Sequence, residues 1–212
     1  MSGNIPCKDE NRNILLVEGL DDCHVILALC KAHDVPQKFG LYECGSYEKV
    51  LKRLNAQIAQ PDPPGRSEII GVVVDADENL TERWKSIRDK LKNHNYELPE
   101  KPNPSGSIIE STSKPKLGIW LMPNNQIGGM LEDFCIKMIE ENQIDIVKKV
   151  LEEVKSVCTY KENHYSKAII HTYLAWQDEP GKPLGQSITS RVLRPNTSLA
   201  HSFANWLTKL FS

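Results

Sequence analysis

The sequence predicts an α/β protein: a doubly wound, mainly parallel sheet with helices on both faces, plus a helical C-terminal portion. Three observations predict it. Two continuous apolar runs, Ile14-Leu15-Leu16-Val17 and Ile69-Ile70-Gly71-Val72-Val73-Val74, have the length and β-branched character of strands buried on both faces. Segments with apolar residues at helical spacing separate the strand-like runs, which favours right-handed parallel crossovers. Each of the two runs passes directly into acids, Glu18-Gly19-Leu20-Asp21-Asp22 and Asp75-Ala76-Asp77-Glu78.

Residues 1–12 are polar and are expected to form a flexible N-terminus. Residues 13–17 read as the first buried strand. Asp21 to His33 carries Val25, Ile26, Leu29 and Ala32 in helical register, with Asp21 or Asp22 placed to cap its first turn. Phe39 to Cys44 is a weaker strand. A second helix shows Val50, Leu51, Leu54 and Ile58 on one face, and Pro61-Asp62-Pro63-Pro64-Gly65 ends it in a loop. Ile69 to Val74 is the strongest strand of the chain. Asn79 or Thr81 is placed to cap a third helix lined by Trp84, Ile87 and Leu91. Pro99, Pro102, Pro104 and Gly106 mark a loop, and short strands are expected at Ser107–Ile109 and Leu117–Met122.

Beyond Pro123 the pattern turns helical. Met130 to Ile139 is one such stretch. Asp145 to Val157 is another, with Ile146, Val150 and Val154 in step. Lys167 to Trp176 and Ser198 to Phe211 complete the set. The expected organisation is a flexible segment 1–12, an α/β core over 13–125, and a helical portion over 126–212 packed on that core.

The 212 residues suffice for one large domain or a domain with an appendage. A hydrophobic fraction of 40% and a charged fraction of 25% are ordinary for a globular protein. A net charge of -2 leaves nucleic-acid binding open, because a local basic groove can coexist with a neutral total. No apolar stretch approaches the roughly 18 residues needed to cross a bilayer, and the N-terminus lacks a signal pattern. A cytoplasmic protein with no membrane partner is expected. The six cysteines form no C-x-x-C pair and stand at no zinc-ligand spacing with histidine, so small buried hydrophobes in a reducing compartment are the expected role. A catalytic thiol or a disulfide stays as the alternative.

The acids carry the functional expectation. In a doubly wound sheet, ligands sit beyond the carboxyl ends of the strands, where the strand order switches. If the first and third strands are neighbours, Glu18 and Asp75 converge there. Asp75 and Asp77 are two apart, so in extended backbone they project to one side. Carboxylates gathered at one rim repel each other, by roughly 4 kcal/mol per pair at 4 Å and an effective dielectric near 20. A hard divalent cation, Mg²⁺ or Mn²⁺, turns that repulsion into binding. Glu18 is a candidate metal ligand and a candidate general acid or base.

The motif Leu16-Val17-Glu18-Gly19-x-x-Asp22, with Val73-Val74-Asp75-Ala76-Asp77, resembles the Toprim domain shared by topoisomerases, DNA primases and OLD-family nucleases. That resemblance spans roughly residues 13–122. Gly118-Ile119-Trp120-Leu121-Met122-Pro123, Gly129 to Phe134, Ile170 to Gln177 and Pro183-Leu184-Gly185-Gln186 are similar to the Toprim-like bacterial family DUF3226, over most of the chain. The resemblance implies that Glu18 is the Toprim glutamate and that Asp75 and Asp77 are its metal-binding aspartates. Asp22 fits an acidic position of the first motif. Glu132 and Asp133 have no assigned counterpart; a capped helix start and an additional ligand group are both open. The chain holds no P-loop, primase zinc module or topoisomerase tyrosine motif, so topoisomerase and primase activity are not expected.

Other residues have competing readings. Lys182, Arg191 and Arg194, around Gly181-Lys182-Pro183-Leu184-Gly185-Gln186-Ser187, are candidates for a phosphate cradle. Arg83, Lys85, Arg88, Lys90 and Lys92 read first as the exposed face of the third helix. Trp84, Trp120, Trp176 and Trp206 read as core anchors, and the six histidines as packing or surface residues. The expected function is an Mg²⁺-dependent phosphodiester-handling protein, a small nuclease acting on nucleic acid, with Arg191 or another cation neutralising the phosphate. The alternative is a non-catalytic metal- or nucleotide-binding module that works with a separate partner such as an ATPase. A phosphoryl-accepting receiver is disfavoured, since Pro123-Asn124-Asn125 follows the last core strand without the lysine that receivers need.

Overall fold

Alternate residues of a strand face opposite ways, and here both faces are buried. The structure is a computed structural model that describes residues 13–60 and 67–212. The expected N-terminal flexible segment, Cys7 and the Pro61–Gly65 loop lie outside the described residues. Five strands, β1 (Ile14–Val17), β2 (Gly40–Glu43), β3 (Ile69–Asp75), β4 (Ser107–Ile109) and β5 (Lys116–Met122), form one sheet in the order β2-β1-β3-β5-β4. β1 pairs in parallel with β2 and β3, and β3 in parallel with β5. β4 is the exception to the expected parallel sheet. It is a three-residue edge strand, antiparallel to β5, joined by the short segment after Ile109 that leaves no room for a crossover helix.

Among the described residues there are eight α-helices: α1 (Leu20–Ala32), α2 (Tyr47–Ile58), α3 (Leu80–Lys92), α4 (Leu131–Ile136), α5 (Glu141–Glu153), α6 (Tyr165–Ala175), α7 (Leu184–Thr189) and α8 (Ser198–Leu210). On one sheet face Ile14, Leu16, Ile70, Val72, Val74 and Leu121 pack with α2 and α3. On the other, Leu15, Val17, Val73, Trp120 and Met122 pack with α1 and the C-terminal helices. The period-2 split of β1 between the two cores is the doubly wound arrangement seen residue by residue. β2 lies on one flank of β1 and β3 on the other, so the strand order switches at β1.

Several boundaries move. The helix expected over Met130–Ile139 stops at Ile136, and Met138 and Ile139 bond back three residues in a tight turn. The expected Asp145–Val157 helix begins and ends four residues earlier. Its buried face is Val147 and Leu151; Ile146 is 53% exposed. Both sets have i,i+4 spacing, so periodicity alone did not choose between adjacent faces. α7 was not among the helices read from periodicity; a helix start there was expected only as part of a phosphate cradle. Trp84, Trp120 and Trp206 are core residues, whereas Trp176 is 49% exposed. Sheet and helices meet closely through two glycines. Gly71 and Gly118 face each other across β3 and β5, and a methyl on Gly118 would lie 2.3 Å from Leu210 of α8.

Candidate functional site

β1 and β3 are adjacent and end at the same rim, so the two acidic strand ends meet. The Asp75 backbone N–H donates to Glu18 Oε1 at 2.9 Å. Asp75 Oδ1 in turn accepts from the Leu131 N–H at 3.0 Å, which ties the end of β3 to the start of α4. Asp22 Oδ2 accepts the Gly19 N–H at 3.0 Å and Asp133 Oδ2 accepts the Met130 N–H at 2.8 Å. Each of these carboxylates closes the first turn of its helix, α1 or α4. Two helix N-termini are thereby aimed at the rim, and their dipoles favour negative charge there.

Four carboxylates share this corner: Glu18, Asp22, Asp75 and Glu132. Burial first, then the charges of Asp22, Glu18 and Glu132, push the Asp75 carboxyl up to about 8. Burial, then Glu18 and Glu132 among the charges, push Asp22 up to about 7. Glu18 is raised by burial, and its bond from Asp75 N–H and the nearby Arg83 guanidinium pull the other way. Lys167 Nζ of α6 stands 3.6 Å from Glu132 Oε1. The Cys135 thiol beneath them is fully buried and pushed well up, and Cys30 is pushed up to about 12, so both are protonated thiols rather than nucleophiles. No disulfide joins the described cysteines Cys23, Cys30, Cys44, Cys135 and Cys158 to one another.

Asp77 takes a different place from the one alternation predicts. The extended backbone ends at Asp75; Asp77 has φ +52° and forms a two-way backbone bridge with Gly129. Its carboxylate pairs with the Arg83 guanidinium. That guanidinium also stacks 3.8 Å from the centre of the Tyr47 ring. Asp133 accepts a hydrogen bond from the Ser166 hydroxyl as well as from Met130, so it caps α4 and ties it to α6.

Beside the acid cluster opens a cleft of about 910 Å³, between the starts of α2 and α3 on one side and of α6 on the other. Asp77, Glu78, Glu82, Asp133 and Glu162 line it, with Arg83 as the one cation among its lining residues. Arg83 was read in the sequence as part of an exposed face. The signal that marks it is its position at the start of α3, where the helix dipole disfavours a cation, so its placement needs acidic company.

The cradle candidates lie elsewhere. Leu184–Thr189 is a helix, and Gly185 is there for close packing: a methyl would meet the His24 carbonyl oxygen of α1 at 2.5 Å. Lys182 pairs with Glu179 at 3.1 Å, and Arg194 pairs with Glu140. Arg191 acts on His33 at the C-terminal end of α1, roughly 18 Å along the helix axis from Asp21. The structure therefore brings Glu18, Asp22, Asp75 and Glu132 together, sets Asp77 on Arg83 and Asp133 on Ser166, and keeps Lys182, Arg191 and Arg194 out of that group.

The donor set suits a hard cation in kind: it is all oxygen, and its carboxyls hold protons that a dication would displace. Among the described residues, however, no three His, Cys, Asp or Glu side chains already form a closed metal-binding group. Mg²⁺ needs only one or two carboxylates beside its retained waters, so the residues fit that ion with its water shell rather than a dry cage.

Fold and site together define a doubly wound α/β protein with a carboxylate-rich corner at its strand-order switch. The family model of DUF3226, described as a protein of unknown function, matches residues 12–212. The chain belongs to that family. No curated protein and no solved structure matches it. Among the described residues no helix is long and apolar enough to cross a membrane.

Proposed function

We propose that this protein is a Toprim-like, Mg²⁺-dependent phosphodiester-handling protein that acts as a small nuclease. The observation that carries the reading is the junction of Glu18 and Asp75 on neighbouring parallel strands, with Asp22 and Glu132 acting on the same carboxyl. So many buried acids in one corner are costly without a cation. Asp75 and Glu18 would hold Mg²⁺ or Mn²⁺, with Asp22 and Glu132 beside them. Asp77 joins only by giving up Arg83. The ion, when bound, supplies Lewis acidity at a phosphoryl oxygen and a more acidic water. Glu18, raised by burial, is the group placed to take or return a proton.

The test is cleavage of single-stranded and duplex oligonucleotides by purified protein with Mg²⁺ or Mn²⁺. Glu18→Gln and Asp75→Asn should each abolish it while the fold stays intact. Undiminished cleavage by either variant removes the mechanism. A second reading, a non-catalytic cation- or nucleotide-binding module serving a partner such as an ATPase, draws on the acidic lining of the cleft, which repels long polyanions. Ligand binding without any cleavage would favour it.

A further inference from the structure

We infer that the cleft beside the acid cluster takes one phosphate group of a mononucleotide-sized ester, anchored by Arg83, rather than a duplex. This deepens the proposed function and rests on its cation site. The guanidinium carries five N–H donors. Asp77 occupies one edge and Tyr47 one face, so donors are left for a further acceptor. The side chain is 15% exposed, so its entropy is already restricted before any ligand arrives. Arg83 also acts on Glu18, which links the cleft electrostatically to the carboxylates that would hold the cation.

The remaining lining selects for size and charge. The volume, about 910 Å³, is that of a small-ligand site. Met130, with Tyr47 and Tyr165 on either side, offers apolar surface for a nucleoside. Five lining carboxylates oppose every additional phosphate. One phosphate recovers that cost on Arg83 and the bound cation; a run of phosphates does not. The ligand class is therefore a nucleoside monophosphate or the end of a single strand.

The experiment titrates wild-type protein with adenosine 5′-monophosphate, with adenosine, and with a short DNA duplex, in saturating Mg²⁺. Adenosine monophosphate should bind at least roughly tenfold more tightly than adenosine, and the duplex should not displace it. Arg83→Gln should weaken the monophosphate roughly tenfold or more, while Mg²⁺ still stabilises the variant. Should that variant fail to fold, chemical-shift mapping on the wild type decides instead: the monophosphate must perturb Tyr47 and Tyr165. Perturbation of a remote surface, displacement by duplex, or full binding by a folded Arg83→Gln overturns the inference. Stabilisation by Mg²⁺ without monophosphate binding overturns it and leaves the cation site standing. Absence of any Mg²⁺ effect on the wild type overturns both.

Discussion

The backbone N–H of Asp75 donates to the Glu18 carboxylate at 2.9 Å, so two acids 57 residues apart are held together by the main chain, not by a counter-ion. The bond fixes their spacing whatever their ionisation. It favours charge on Glu18, while burial and three neighbouring acids oppose charge on Asp75. The result is a preformed corner that holds protons where a cation would replace them.

The first consequence is a stability that falls with rising pH. Burial and the neighbouring acids raise Asp75 to about 8 in the folded protein from an ordinary 3.8, and Asp22 to about 7. Both folded values lie above the unfolded ones, so the folded state binds more protons between them. The stabilisation is complete below about pH 4 for these two groups and is lost as pH rises through about 7 to 8. Asp75→Asn keeps the acceptor for Leu131 N–H and removes the charge. It should be more stable than wild type at about pH 8, by an order of a few kcal/mol, and show a flatter profile of Tm against pH. Urea unfolding without metal at several pH values measures this; a less stable Asp75→Asn at the alkaline end would refute it.

Cation binding should run against the same slope. A dication displaces protons from Asp75 and Asp22, so its apparent affinity rises with pH. Mg²⁺ or Mn²⁺ should raise Tm more at about pH 8 than at about pH 5, and at 100 times Kd the gain is about 2.7 kcal/mol. Glu18→Gln and Asp75→Asn should each lose most of the shift. An equal shift in both variants would place the ion elsewhere.

Much of this was legible in the chain. Ile14–Val17 and Ile69–Val74 announced buried parallel strands, and the acids after them announced the rim. Asn79 was recognisable as the cap of α3, and its side chain accepts from Glu82 N–H. Glu132 was visible as an acid after the last core strand, but its partners depend on how α4 docks under Asp75, which no local pattern encodes. Asp77 was misplaced because alternation holds only while the backbone stays extended, and the bridge to Gly129 turns it at φ +52°. Arg83 was overlooked because a cation on an amphipathic helix is ordinarily solvated; only the tertiary contact with Tyr47 and Asp77 sets it apart. The segment around Gly185 looked like a phosphate loop because glycine serves two ends, approach of a ligand and approach of another backbone.

Those two roles of Gly185 can be separated. If its purpose is contact between α1 and α7, Gly185→Ala must push a methyl against the His24 carbonyl. Overpacking of this kind costs about 1–3 kcal/mol, and it should appear as a lowered Tm with Mg²⁺ stabilisation retained. Lys182→Ala should leave Mg²⁺ stabilisation and phosphate binding unchanged, since its ammonium pairs with Glu179; any lowered Tm comes from its mostly buried stem. A strong loss of phosphate binding in a stable Lys182→Ala would return that loop to the site.

A last prediction concerns what holds the C-terminal helix to the sheet. Leu210 is fully buried, and its side chain occupies the space that a residue larger than glycine at 118 would take. Leu210→Ala should cost about 2–5 kcal/mol through lost contacts and a cavity over β3 and β5. Gly118→Ala should destabilise for the opposite reason, a methyl 2.3 Å from Leu210 Cδ2. Combined, the two changes relieve each other, because the new methyl enters the space that the leucine vacates. The double variant should thus be more stable than the sum of the single effects predicts, by about 0.5–3 kcal/mol. Chemical denaturation of the four proteins measures that coupling. Strict additivity would mean that α8 shifts along the sheet instead of filling the gap between the two glycines, and the close approach would then be incidental to stability.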